Sequence, residues 1–76
     1  MPRYFIDLVN AGHISADEQG MELPDMDAVR QEVETTIREI AADAIRSGQE
    51  AGDGEIHVRD AQGNKALIVK FRDVIG

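Results

Sequence analysis

Apolar and polar side chains alternate from the third residue of the chain. In the segment RYFIDLV one face of an extended strand would carry Tyr4, Ile6 and Leu8, and the other face Phe5, Asp7 and Val9. Its aromatic and branched residues also favour a strand. The following NAGH contains Asn10 and Gly12, which favour a tight hairpin turn. A second strand is therefore predicted from His13 and Ile14, passing through or pausing at DEQG and resuming through MEL.

A helical period replaces this alternation after Pro24. The residue before a proline is driven away from helical geometry, and Asp25 or Asp27 can accept hydrogen bonds from the first N–H groups of a helix. The helix is predicted from about Asp25 to Ser47, with Gly48 just past its end. Its apolar stripe consists of Val29, Val33, Ile37, Ile40 and Ala44. Capping therefore explains the carboxylates that gather where the helix begins.

Two more alternating runs, IHVRD and ALIVKF, follow the polar loop GQEAGDGE. DAQGNK joins them, and its Asp60 and Gly63 favour a turn, so a second hairpin is predicted. Its buried face would be formed by Ile56, Val58, Leu67, Val69 and Phe71. The order β-β-α-β-β predicts an α+β fold, in which one helix covers one face of a four-stranded, mainly antiparallel sheet.

Size and composition narrow the possible functions. A chain of 76 residues is predicted to form a single small domain spanning residues 1–76. It contains no cysteine, which excludes disulfides and thiolate sites, and we expect a cytoplasmic protein because the N-terminal apolar run is too short for a signal peptide or a membrane span. The formal net charge of −7 disfavours binding to nucleic acid.

The segment DGEIHVRD carries the most suggestive chemistry. Strand alternation would place Asp53, Glu55, His57 and Arg59 on one face, and an imidazole with two carboxylates can bind a divalent metal. A strand with one solvated face shows the same pattern, and we prefer that interpretation. The glycines of GDGEIH precede a strand, whereas a phosphate-binding loop opens a helix.

Other polar residues have ordinary structural explanations. His13 and His57 are the only histidines. Ser15 and Ser47 do not lie in a recognisable nucleophile motif, so the sequence offers no nucleophile for either histidine to activate. DEQG, with Asp17 and Glu18, is typical of a turn and lacks the ligand spacing of a calcium loop. A small basic patch would form only if the outer strands brought Arg3, Lys70 and Arg72 together. We therefore predict no catalytic, cofactor or metal site, and no enzyme.

One helix covers one face of a sheet, so the other face is a candidate interface. Depending on register, that face would carry Phe5, Val9 or Ile68. Self-association is the simplest way for a small sheet to bury such side chains, and we predict a homodimer or a complex with one protein partner. Scattered apolar groups on a monomer are the alternative.

The opening MPRYF, the segment DEQGMELPD before a helix with Ala28 near its start, and the closing FRDVIG resemble the short bacterial proteins of domain-of-unknown-function family 6894. The resemblance covers nearly the whole chain but implies no activity, ligand or catalytic residue. More distantly, the approach GMELPD into an amphipathic helix is similar to the domain of HicB-type antitoxins, which inhibit a toxin partner.

These observations together predict a small, non-enzymatic module that acts in protein interaction or regulation through an exposed sheet face or edge. A HicB-like antitoxin or nuclease inhibitor is the first alternative, in which acidic residues of the helix, such as Glu34 and Glu39, imitate phosphates. A metal-dependent enzyme centred on His57 is the second alternative.

Overall fold

The computed structural model describes residues 1–10, 12–49 and 52–75. The predicted turn at NAGH includes Ala11 and the predicted loop GQEAGDGE includes Glu50 and Ala51, and these three residues lie outside the described part. The elements are β1 (Arg3–Asn10), β2 (His13–Ser15), β3 (Met21–Glu22), α1 (Met26–Arg46), β4 (Glu55–Arg59), β5 (Lys65–Lys70) and α2 (Phe71–Ile75).

The strands form one antiparallel sheet in the order β2-β1-β4-β5, and β3 also pairs with β1. The predicted α+β architecture is therefore confirmed. The second predicted strand is in two pieces, β2 and β3, and its interruption falls at DEQG. The register between the two long central strands places Ile6 opposite Val58 and Leu8 opposite Ile56.

The caps predicted for the long helix are present. Asp25 is the N-cap, and its side chain accepts a hydrogen bond of 2.9 Å from the backbone N–H of Ala28. At the other end Ser47 is the C-cap, and Gly48 has a φ of 74°, the left-handed conformation that glycine adopts without strain. The boundaries predicted from capping residues agree with those of α1.

The core lies between α1 and one face of the sheet. Its fully buried members are Val29, Val33, Ile37, Ile56, Val58 and Phe71. The helical stripe differs from the prediction in its last turns, because Ala41 is buried while Ile40 and Ala44 are half-buried. Ala41 continues the four-residue spacing from Ile37, so the buried stripe follows a single row along the helix.

The closing run ends differently from the prediction, which placed Phe71 in the last strand. Phe71 is the first residue of α2, and its N–H donates to the carbonyl oxygen of Gly54 at 2.9 Å. Strand pairing stops at Glu55 and Lys70 because β4 begins at Glu55 and offers no further ladder partner. The Phe71 ring nevertheless reaches the core, and an added Cβ at Gly54 would lie 2.7 Å from it.

Candidate interaction surface on the sheet

The side of the sheet that faces away from α1 is called the open face. Strand register defines it, because directly paired residues share a face. Three rows of paired residues cross β1, β4 and β5 on this face. The central row is Asp7, His57 and Ile68. The two rows beside it are Val9, Glu55 and Lys70, and Phe5, Arg59 and Lys65. Ile14 of β2 pairs with Val9 and extends the face outward. The face predicted to carry Phe5, Val9 or Ile68 carries all three.

An ion pair between Asp7 and Arg59 occupies the centre of the open face. Arg59 Nε lies 2.6 Å from Asp7 Oδ2, and Arg59 Nη2 lies 3.1 Å from Asp7 Oδ1. Asp7 is only 7% exposed, and the guanidinium beside it lowers the pKa of its carboxyl. Arg59 also stacks over the Phe5 ring, with 5.0 Å from its Cζ to the ring centroid. This pair connects the two central strands through their side chains.

Asp17 attaches the segment between β2 and β3 to this ion pair. Its N–H donates to Asp7 Oδ1 at 2.8 Å, and its carbonyl oxygen accepts from Arg59 Nη2 at 3.1 Å. Its own carboxylate accepts the N–H groups of Ile6, Gln19 and Gly20, each at 3.1 Å. Burial raises the pKa of Asp17, but these three backbone hydrogen bonds outweigh it, so the pKa lies below its ordinary value.

The structure divides the segment DGEIHVRD, which was considered as a metal site and interpreted as a solvated strand face. Glu55, His57 and Arg59 share the open face, as the alternation predicts. His57 Nε2 lies 2.8 Å from Glu55 Oε1, and this hydrogen bond lowers the pKa of Glu55. Asp53 precedes the strand and contacts Arg72 at 3.4 Å instead. No group of three potential metal ligands occurs among residues 1–10, 12–49 and 52–75.

The remaining polar candidates are dispersed. Lys70 pairs with Glu55 at one end of β4, whereas Arg3 lies beyond the other end, where it donates to Glu22 Oε1 at 3.1 Å. Lys70 and Arg72 line one cavity together with Asp53 and Glu55, but Arg3 lies apart from them, so the three-residue basic patch considered from the sequence does not form. Among the hydrogen bonds of the described residues, none joins His13 or His57 to a serine.

Sequence reasoning missed the role of Asp17. The composition of DEQG favours a turn, and in the structure the segment bends around the Asp17 carboxylate, which accepts the N–H groups of Gln19 and Gly20. Nothing in that composition indicates that the aspartate would also contact the first strand. The one available signal was Asp7, a carboxylate inside an otherwise apolar strand, which needs a partner when it is buried.

The open face also contains a shallow cavity of about 240 Å³, called the face groove. It is lined by residues of four strands and the β4–β5 turn, namely Asp7, Val9, Ile14, His57, Arg59, Gly63 and Lys65. Asp60 shapes the turn, since its side chain accepts the N–H groups of Gln62 and Asn64, both at 2.9 Å. Ile68 lies beside the groove and not in its lining.

Comparison with known proteins gives one match. The chain matches the family described as a domain of unknown function (DUF6894) over residues 3–72. No curated protein and no solved structure matches it. Within the described residues, no helix is both long and apolar enough to cross a membrane.

Proposed function

The chain belongs to the DUF6894 family, and from its geometry we propose that it is a non-enzymatic protein-interaction module that uses the open face of its sheet. The observation that carries this proposal is the exposure of branched apolar side chains around a rigid centre. Ile14 is 69% exposed and Ile68 is 49% exposed, and both flank the Asp7–Arg59 ion pair. Water contact with such groups is unfavourable, and a partner that covers them gains their burial.

The edges of the sheet are less suited to binding than its face. Lysines stand at both ends of β5, and its pairing with β4 shifts register between Val58 and Arg59. Terminal lysines and such irregularities discourage the addition of another strand. At the opposite edge β2 and β3 have only three and two residues. The face therefore remains as the surface on which a partner would dock.

A second copy of the chain is the partner that we propose. With strands about 4.8 Å apart and a rise of about 3.3 Å per residue, the four-stranded face presents roughly 350 Å² of projected area. Two such faces together give roughly 700 Å² in projection, which is below the roughly 1,000 Å² of total accessible surface at which specific, stable interfaces begin and falls in the range of weak, transient contacts. The dimer should accordingly be weak and depend on protein concentration, and a tight obligate dimer is not expected.

Substituting Ile68→Asp tests the face directly. Each copy would lose the burial of the exposed half of an isoleucine, worth about 1 kcal/mol, and would place a carboxylate in the contact. Dimerisation should weaken by at least about 100-fold, since the interface contains the residue twice. Sedimentation equilibrium over a concentration series measures this change, and circular dichroism checks that the helix remains.

Ile45→Asp supplies the matched control. Ile45 is 74% exposed near the end of α1, far from the open face in the fold, so its substitution should leave the dissociation constant unchanged. A dimer that survives Ile68→Asp, or that Ile45→Asp disrupts equally, would exclude the open face as the contact surface.

A HicB-like antitoxin or nuclease inhibitor remains the alternative, and it would use the acidic surface of α1. Glu34 lies 3.6 Å from Arg38, and Asp43 pairs with Arg46, so cations already accompany two of the carboxylates of this helix. The double substitution Glu34→Lys and Glu39→Lys should leave dimerisation within about twofold of wild type, because exposed charges contribute little. Sedimentation of this variant beside Ile68→Asp shows which surface mediates self-association. The alternative would be favoured if the wild type captured a toxin or nuclease and this helix variant, unlike Ile68→Asp, lost that partner.

A further inference from the structure

The face groove has a volume and an apolar lining that a flat protein contact does not require. Its volume of about 240 Å³ exceeds the roughly 150 Å³ of a cavity that binds benzene, so it has room for an aromatic ring with one small substituent. Val9 and Ile14 contribute apolar surface to its lining, as do the methylene groups of Lys65. The groove therefore suits a small, partly apolar molecule.

Arg59 offers this molecule a flat surface. Phe5 lies over its guanidinium at 5.0 Å, and the hydrogen bonds to Asp7 and to the Asp17 carbonyl hold the guanidinium in a fixed orientation. The Arg59 side chain is nevertheless 34% exposed, and it lines the groove. A planar guanidinium stacks well on aromatic rings, so an aromatic ligand would extend the stack that Phe5 begins.

Lys65 determines the sign of the charge that the groove accepts. Asp7 and Arg59 neutralise each other, and the Glu55 carboxylate, which is hydrogen-bonded to His57, lies within electrostatic reach of both Lys70 and Lys65, two cations for one anion. Among the ion pairs within residues 1–10, 12–49 and 52–75, none includes Lys65. Its ammonium group therefore leaves a positive charge beside the groove, where it would attract an anion.

From these three features we propose that the face groove binds a small planar aromatic carboxylate, with its ring against the Arg59 guanidinium and its carboxylate beside the Lys65 ammonium. This ligand site overlaps the proposed protein contact at Ile14, so a bound ligand and a second copy of the chain should compete for this part of the open face. Ile68, which the dimer test alters, does not line the groove.

Sodium benzoate is the probe for this site. Titrated into the isotope-labelled full chain, it should shift the amide resonances of Val9, Ile14 and Lys65 with a saturable dissociation constant on the order of 1 mM, as expected for a ligand of this size. Lys65→Gln should weaken binding by about fivefold, the effect of one partly solvated ion pair. Lys70→Gln is the matched control, because Lys70 lies on the same strand but does not line the groove.

Two further probes test the chemistry. Cyclohexanecarboxylate retains the charge without the planar ring, and benzylamine retains the ring with the opposite charge, so both should bind more weakly than benzoate. Equal binding of the three probes, equal effects of the two lysine variants, or no saturable shift would overturn the proposal. Light scattering on the same samples reports self-association separately, so failure of the ligand site and failure of the proposed dimer give different results.

Discussion

The two faces of this sheet are formed by alternate residues of the same strands, and they are stabilised differently. On the covered side Ile56 and Val58 are at most 1% exposed and belong to the cluster that includes Val33 and Ile37. On the open side the most buried group is the Asp7 carboxylate, which is held by Arg59 and by the Asp17 N–H. Burial of apolar area is non-directional, whereas these hydrogen bonds require defined partners and distances.

Because of this difference, the two faces contribute differently to stability and to strand register. A shift of one residue along β1 would exchange its faces, and Asp7 would then point into the apolar core. The register pairs Asp7 with His57 and Phe5 with Arg59, which is the arrangement that lets Arg59 reach Asp7 diagonally. We infer that the covered face supplies most of the stability and that the polar centre of the open face specifies the register.

The largest expected effect is the loss of a core side chain. Ile37→Ala should lower the free energy of unfolding by about 2 to 5 kcal/mol, because it leaves a cavity beneath the helix at a residue that is 0% exposed. A domain of this size has a total stability of roughly 4 to 11 kcal/mol. Urea denaturation followed by circular dichroism measures the change. Ile45→Ala, at a position 74% exposed on the same helix, should change stability by less than about 0.5 kcal/mol.

A smaller effect is expected from breaking the polar centre of the open face. Asp7→Ala removes the acceptor for Arg59 and for the Asp17 N–H, and should cost about 2 to 3 kcal/mol in urea denaturation. The β2–β3 segment should also lose protection from amide hydrogen exchange, whereas the Ile37→Ala variant should lose it more evenly.

The double variant Asp7→Ala with Arg59→Met shows whether the pair acts as a unit. If it does, the two losses will not add, and the coupling energy will be about 1 to 3 kcal/mol. Additive losses would mean that the two residues stabilise the sheet independently, which would contradict a shared role in register.

Elements with a strong local signal could be predicted from the sequence. The Asp25 cap, the four-residue spacing of Val29, Val33 and Ile37, and Gly48 together located α1. The alternation in RYFIDLV and IHVRD identified the central strands and their two faces. In each case the signal is local, because neighbouring residues determine the cap, the period or the turn.

Features that depend on contacts between distant residues could not be predicted. Arg59 and Asp7 lie 52 positions apart, and Asp17 joins them from a third segment. Phe71 leaves the last strand because β4 provides no partner beyond Glu55, which depends on where another strand begins. The face groove likewise requires residues of four strands and a turn, so neither its existence nor the position of Lys65 beside it follows from local patterns.

The smallest expected effect, and the one most specific to the open face, is a dependence of stability on pH. Asp7 and Asp17 have pKa values lowered in the folded protein, so both favour folding when ionised. Their contribution should be complete above the unfolded-state value of about 3.9 and should be lost as the pH falls through the lower folded-state values. Urea denaturation at a series of pH values between neutral and strongly acidic measures this loss.

Asp17→Asn isolates one of these carboxylates, and Glu18→Gln, at the exposed neighbouring residue, is its matched control. The asparagine variant should lose about 1 kcal/mol at neutral pH, because an amide offers weaker acceptors to the N–H groups of Ile6, Gln19 and Gly20. It should also show a shallower fall of stability in acid, while Glu18→Gln should follow the wild type. If both variants kept the full acid dependence, the loss would have to arise elsewhere, and Asp17 would serve the open face only through its backbone N–H and carbonyl groups.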